Sequence, residues 1–219
     1  MLEVSILYVK PEPSKKELDA LLPLVSAERR ARAQKFFHWQ DACNCILGDV
    51  LARIGVCRAT GFNNKQIAFD VNEFGKPYLT QNLNIHFNIS HSKSYVACAI
   101  SDKSVGLDIE FVKQMDLKIA ERFFTSDEIS YIMAEPEDMH RFYEVWTKKE
   151  SRIKLDGRGL SMPLSSFSVF ESQEIEKLNY LEVLRSDDVI CHVCTSKESI
   201  SAIEIIDIPT LIWQALGLD

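Results

Sequence analysis

Val-Gly-Leu-Asp-Ile-Glu-Phe, residues 105–111, alternates with a period of two. Val105, Leu107, Ile109 and Phe111 fall on one side, and Gly106, Asp108 and Glu110 on the other. That pattern predicts a strand with one face in a core. The second face carries two acids. Either it is a solvated strand face, or Asp108 and Glu110 are paired oxygen donors for a hard cation such as Mg²⁺, which keeps waters and also binds substrate phosphate.

Outward from this strand, each half of the chain reads as helices plus several strands, an α+β protein. Before it, residues 2–9 read as a strand, and Ser14-Lys-Lys-Glu17 as a capping box opening a short helix. A helix from about Ser26 carries a basic segment, with Asp41 capping or bending its continuation. Ala42, Ile46, Leu47, Val50, Leu51 and Ile54 give an apolar face up to Gly61. LNIHFNIS and SYVACAIS, joined at His91-Ser92-Lys93, predict a hairpin. After the strand come a helix near 116–124, a second capping box at Thr125–Glu128, and a long helix from about His140 to Leu155 that stops at Gly157. LSSFSVF, NYLEVL, DVICHV and ISAIEII read as strands. HFNISHSKSYVACAIS and DVICHVCTSKESISAIEI share a hairpin rhythm. This predicts a duplication with its seam near 101–104, giving halves 1–102 and 103–219.

The composition narrows the function. The chain has 219 residues, 46% hydrophobic, with 25 Lys plus Arg against 32 Asp plus Glu, a net charge of −7. An acidic chain disfavours nonspecific nucleic-acid binding. No apolar run approaches the ~20 residues of a membrane helix, and the N-terminus reads as a strand, not a signal peptide. The six scattered cysteines form no disulfide framework, which fits a reducing cytoplasm. Cys191-His-Val-Cys194 is a lone CxxC, read as strand residues or, with Cys43 and Cys45, as a zinc site. Residues 26–40 and 141–160 each carry a net +3. Two basic islands in an acidic chain are either solvated helix faces or a seat for a small polyanion.

The second island is the helix FYEVWTKKESRIKLDGRGL. Phe142, Val145, Trp146 and Ile153 form its apolar face, while Glu150 and Lys154 lie one turn apart. They are a surface ion pair, or a further metal ligand or base beside a lysine that reaches a phosphate. Ser90-His91 lacks a nucleophile-elbow context; its hydroxyl and imidazole can donate to phosphate oxygens or stabilise the turn. Lys76, in Gly-Lys-Pro, sits on a rigid turn.

In chain order these elements, EFGKPYL, FNISHS, VGLDIE and WTKKESRIKLDGRGL, resemble the 4′-phosphopantetheinyl transferases of the surfactin-synthetase-activating (Sfp) type, over roughly residues 2–205. The resemblance implies two similar α+β halves packed as an intramolecular pseudo-dimer, hence a monomer, with coenzyme A between them. It implies Mg²⁺, or Mn²⁺, on Asp108, Glu110 and Glu150. Lys154 would hold the pyrophosphate, and Glu150 would also act as general base. Arg29, Arg32, Lys76, Ser90 and His91 would contact the nucleotide's phosphates. The partner implied is an apo peptidyl or acyl carrier protein, docking along residues 111–125, where Phe123 and Phe124 serve docking or core. Cys45 stands where the pattern has a hydroxyl, and Lys93 where it often has glycine. Glu128 aligns with an acid near the metal and competes with its own capping box. A Mg²⁺-dependent nucleotide phosphohydrolase and a silent coenzyme A- or carrier-binding module are the alternatives.

Overall fold

The computed structural model describes residues 1–171 and 177–218. β1 (Leu2–Tyr8) leads to α1 (Lys15–Leu21), α2 (Ala27–Ala33) and the long α3 (Trp39–Thr60). Short strands β2 (Phe69–Val71) and β3 (Pro77–Leu79) precede the hairpin β4 (His86–Ser92) and β5 (Tyr95–Ser101). The order then repeats: β6 (Val105–Phe111), α4 (Lys118–Phe123), α5 (Ser126–Met133), the long α6 (Met139–Asp156), and the hairpin β7 (Asn179–Arg185) and β8 (Val189–Thr195). β9 (Ala202–Ile206) and α7 (Ile208–Leu216) follow.

The sheets confirm a duplicated α+β architecture. One sheet is ordered β4-β5-β1-β9 and the other β6-β8-β7. In each half the first strand pairs antiparallel with the second strand of the hairpin. The repeat is therefore strand, long helix, hairpin. It aligns β4–β5 with β7–β8, not with residues 188–205 as the rhythm predicted, because β9 pairs with β1 and not with β8. Residues 164–170 are a single helical turn and bends instead of a strand. The end of the chain crosses over: β9 runs parallel to β1, and Ile208, Leu211 and Ala215 of α7 join the core of the first half.

Three cores make four layers. α1, α3 and α7 cover one face of the first sheet. Leu2, Val4, Ile6, Ala97 and Ala99 meet Val105, Leu107, Ile109, Cys191 and Val193 between the sheets. α4, α5 and α6 cover the second sheet. Phe124 is core, against Phe142 and Trp146. Gly106 explains itself here: a Cβ on it would lie 1.9 Å from the Ser151 carbonyl oxygen and 2.3 Å from the Leu155 amide. Only glycine lets α6 press its backbone onto β6.

The capping boxes form as read at Ser14–Glu17 and Thr125–Glu128. The second one settles Glu128. It is fully buried, accepts from the Thr125 and Val169 amides, and pairs with Lys149 at 2.8 Å, itself fully buried. Lys149 also donates to the Leu164 and Phe167 carbonyls. Glu128 therefore fastens α5 and the 164–169 segment to α6 and is not an acid of the site. A charge pair this deep persists only with its hydrogen bonds complete.

His192 on β8 is buried, with Nδ1 2.8 Å from Thr147 Oγ1. Burial pushes its pKa down to about 3 from 6.5. The unfolded chain therefore binds a proton that the folded chain refuses. The resulting stability is present above pH 6.5 and is lost as pH falls toward 3. Between pH 7 and pH 5 urea titrations should lose about 2 kcal/mol on this account. His192→Gln should flatten that loss; an unchanged slope would assign the pH dependence to other groups.

Candidate active site

The two sheets meet edge on face through β4 and β6, and side chains do the joining. Asn88, Ser90 and Ser92 share one face of β4. Asn88 Oδ1 accepts the Leu107 amide at 2.7 Å, Ser90 Oγ the Ile109 amide at 3.3 Å, and Ser92 Oγ the Phe111 amide at 3.1 Å. Each serine also donates to an acid: Ser90 to Asp108 Oδ1 at 2.9 Å, and Ser92 to Glu110 Oε2 at 2.7 Å. His91 points away from this ladder by the period of the strand.

From α6, Lys154 Nζ reaches Asp108 Oδ1 at 2.6 Å and Ser90 Oγ at 2.8 Å. The surface ion pair with Glu150 is not formed. Asp108 is only 3% exposed, and its Oδ2 is buried with no hydrogen-bond partner. Glu150 accepts no hydrogen bond among the described residues. Desolvation first, and the Asp108 charge second, raise the pKa of both Glu110 and Glu150. The charges of Asp108 and Glu110 both act against ionisation of Glu150, and that of Asp108 against Glu110.

This arrangement fits a hard divalent cation. The donors are carboxylate oxygens, one is orphaned in a buried position, and the crowded negative charge calls for a counter-ion. Among the described residues no three His, Cys, Asp or Glu side chains converge as a ready cage. An ion here would complete its shell with water and substrate oxygens, as Mg²⁺ does. The same result removes the zinc reading, since the cysteines join no such group among the described residues.

Beside the acids lies a cleft between α2, α3, the turn at Gly75 and β4. Arg29, Arg32, Phe36, Asn44, Cys45 and His91 are among its walls. Arg29 is aimed by Asp49, which accepts from Arg29 Nε at 2.9 Å and from Arg53 Nε at 2.6 Å. Its Nη1 lies 3.8 Å from Cys45 Sγ, so the thiol takes the place read for a hydroxyl. His91 is exposed; desolvation and the Lys154 ammonium hold its pKa below the usual value. It borders both the cleft and the acids.

Lys76 and Ser90, two of the expected phosphate contacts, have partners within the protein. Lys76 turns from the cleft, which Gly75 and Pro77 line, and donates to the carbonyls of Leu155 at 3.0 Å and Val105 at 3.3 Å. The carbonyls at the C-terminus of α6 attract a cation, and Asn72 Nδ2 adds a bond to Gly157 O at 3.0 Å. The lysine latches the halves together, and burial lowers its pKa to about 8. The Ser90 hydroxyl is consumed by Asp108, Lys154 and the Ile109 amide. Lys93 adopts φ 47°, the conformation glycine favours, with its Nζ 4.2 Å from the Phe111 ring centroid.

Sequence reasoning missed Asp49 and Asn44. Asp49 is a buried acid in an apolar helix, explicable only by a charged partner, and that was its signal. Asn44 is 4% exposed in the cleft wall, with Oδ1 buried and unpartnered; no pattern marked it.

Asp108, Glu110 and Glu150 from the second half lie beside an arginine-lined cleft built by the first. Residues 104–204 match the family described as 4′-phosphopantetheinyl transferase superfamily, and residues 10–103 match 4′-phosphopantetheinyl transferase, N-terminal. The chain is 42% identical over 164 residues to a 4′-phosphopantetheinyl transferase of Bacillus subtilis, covering 74% of this chain and 73% of the relative. It is 40% identical to 4′-phosphopantetheinyl transferase Sfp of Bacillus subtilis (strain 168), over 74% of each chain. To 4′-phosphopantetheinyl transferase gsp of Aneurinibacillus migulanus it is 36% identical, over 79% of this chain and 73% of the relative. The chain belongs to the 4′-phosphopantetheinyl transferase superfamily, a family of transferases. Among the described residues no helix is long and apolar enough to cross a membrane.

Proposed function

We propose that this protein moves the 4′-phosphopantetheine group of coenzyme A to a serine of an apo peptidyl or acyl carrier protein, with Mg²⁺ or Mn²⁺ as its metal. The observation that carries the reading is the orphaned Asp108 Oδ2, on a carboxylate that Lys154 holds by its other oxygen and whose charge acts on Glu110 and Glu150, next to the arginine-lined cleft. A divalent cation on Asp108, Glu110 and Glu150 would supply neutralisation of the pyrophosphate charge.

The remaining chemistry is positioning and electrostatics, as phosphoryl transfer requires. Arg29 and Arg32 offer planar forks to the nucleotide's 3′-phosphate, with His91 beside them. Lys154 exchanges part of its hold on Asp108 for the pyrophosphate. The carrier's serine Oγ bonds to the β-phosphorus as the bond to the bridging oxygen breaks, and adenosine 3′,5′-bisphosphate leaves. Glu150 takes the serine proton: no hydrogen bond pins its carboxylate and its proton affinity is raised. The carrier docks along 111–125, where Lys113, Lys118 and Arg122 are exposed. Six free cysteines and the internal pairing of halves support a monomer in a reducing cytoplasm, serving nonribosomal peptide or polyketide carriers.

Intact-mass spectrometry of an apo peptidyl carrier, incubated with the protein, coenzyme A and Mg²⁺, tests this. One added phosphopantetheine, lost with EDTA, is expected. Coenzyme A binding without transfer to any of several carriers would favour a silent module, and phosphate release without a carrier a hydrolase. Glu150→Gln should lower transfer roughly 10²-fold or more while coenzyme A binding is largely kept. Unchanged transfer would remove Glu150 from the mechanism.

A further inference from the structure

We infer that Ser92 is a positioning residue for Glu110, as Ser90 is for Asp108, so that cation affinity in the second half is set by β4 of the first. This inference rests on the proposed metal site. The geometry repeats at two successive positions. Each serine hydroxyl donates to the acid at one position of β6 and accepts the amide of the next residue. Ser90 thus grips Asp108 and the Ile109 amide; Ser92 grips Glu110 and the Phe111 amide. Below them Asn88 accepts the Leu107 amide, and the position before it is Gly106, which has no side chain to hold.

A Ser-x-Ser beside an Asp-x-Glu works because both strands have a period of two. The register that closes one hydroxyl bridge closes the other. Each bridge ties down one carboxylate oxygen and so fixes the direction of the second. At Asp108 that second oxygen is the orphaned Oδ2. Free, Glu110 would sample several rotamers; held at Oε2 at 2.7 Å, it presents one. Outer hydrogen bonds that orient metal ligands commonly set affinity over roughly 10–100-fold. Ser92 does not itself line the cleft, although its neighbour His91 does, so it should leave nucleotide binding largely alone.

The test is a Mn²⁺ titration of the full chain followed by electron paramagnetic resonance, without coenzyme A. Ser92→Ala should weaken Mn²⁺ binding about tenfold or more. Ser94→Ala, in the adjacent turn, should not. The same Ser92 variant should lower kcat while the half-saturating coenzyme A concentration moves less than about twofold. Should loss of the Phe111 amide's acceptor unfold Ser92→Ala, Ser92→Cys decides: it keeps the volume and a weak acceptor but is a poor donor. Folded variants that bind Mn²⁺ within about twofold of wild type would overturn the inference and leave the metal site standing. A wild-type chain that takes up no Mn²⁺ would overturn both.

Discussion

Asp108→Asn should abolish transfer to within measurement, a loss of roughly 10³-fold in kcat, while the protein stays folded. Asp108 is the hinge of the site: its Oδ1 receives Ser90 and Lys154, and its Oδ2 is the open buried acceptor. The amide is nearly isosteric, so packing survives. Lys154 requires an acceptor, which turns the amide oxygen toward it. The amino group then fills the place of Oδ2 and presents hydrogens where an oxygen was open. A cation loses its ligand there, and Lys154 loses the charge that aimed it. Glu110 and Glu150 lose the neighbour that raised their proton affinity. Circular dichroism would verify the fold, and single-turnover mass spectrometry the transfer. Activity within tenfold of wild type would make the acids a structural cluster and move the chemistry elsewhere.

The fold and the acids were legible because they rest on local periodicity. The alternation of 105–111, the helical face of 142–153 and the two capping boxes are local signals, and each marks an element that forms, though α6 buries the second face of β6 as well, where the alternation predicted only one face in a core. What sequence could not show was which partner each polar group would find. Lys76 read as a lysine on a rigid turn, a candidate phosphate contact, yet the Leu155 carbonyl at the C-terminus of α6, far along the chain, accepts from it. Glu128 read two ways until Lys149 appeared beneath it. The SxS and DxE patterns were both visible, but only the stacking of β4 against β6 sets one upon the other. The crossover of β9 was hidden for the same reason. ISAIEII alternates equally well against β8 or β1, and the choice depends on where α7 can bury Leu211.

Gly106→Ala should be the most damaging small substitution in the protein. The added methyl would sit 1.9 Å from the Ser151 carbonyl oxygen and 2.3 Å from the Leu155 amide nitrogen. Both obstacles are backbone, so no rotamer change relieves them; β6 and α6 must part. At Gly55, by contrast, a methyl meets only the Ile100 side chain, which can turn. Overpacking against a rigid wall should cost at least about 3 kcal/mol, lowering the melting temperature by roughly 6–12 °C. Gly55→Ala should cost clearly less. The catalytic loss should exceed the stability loss. Asp108 and Glu110 ride on β6, and Glu150 and Lys154 on α6, so the separation that admits the methyl opens the site itself. A displacement near 1 Å costs on the order of 10²-fold in rate. Assayed well below its melting temperature, Gly106→Ala should therefore be folded and nearly inactive, with Mn²⁺ binding weakened in parallel. A folded variant of full activity would mean that the helix–strand contact does not set the distance between the two pairs of residues.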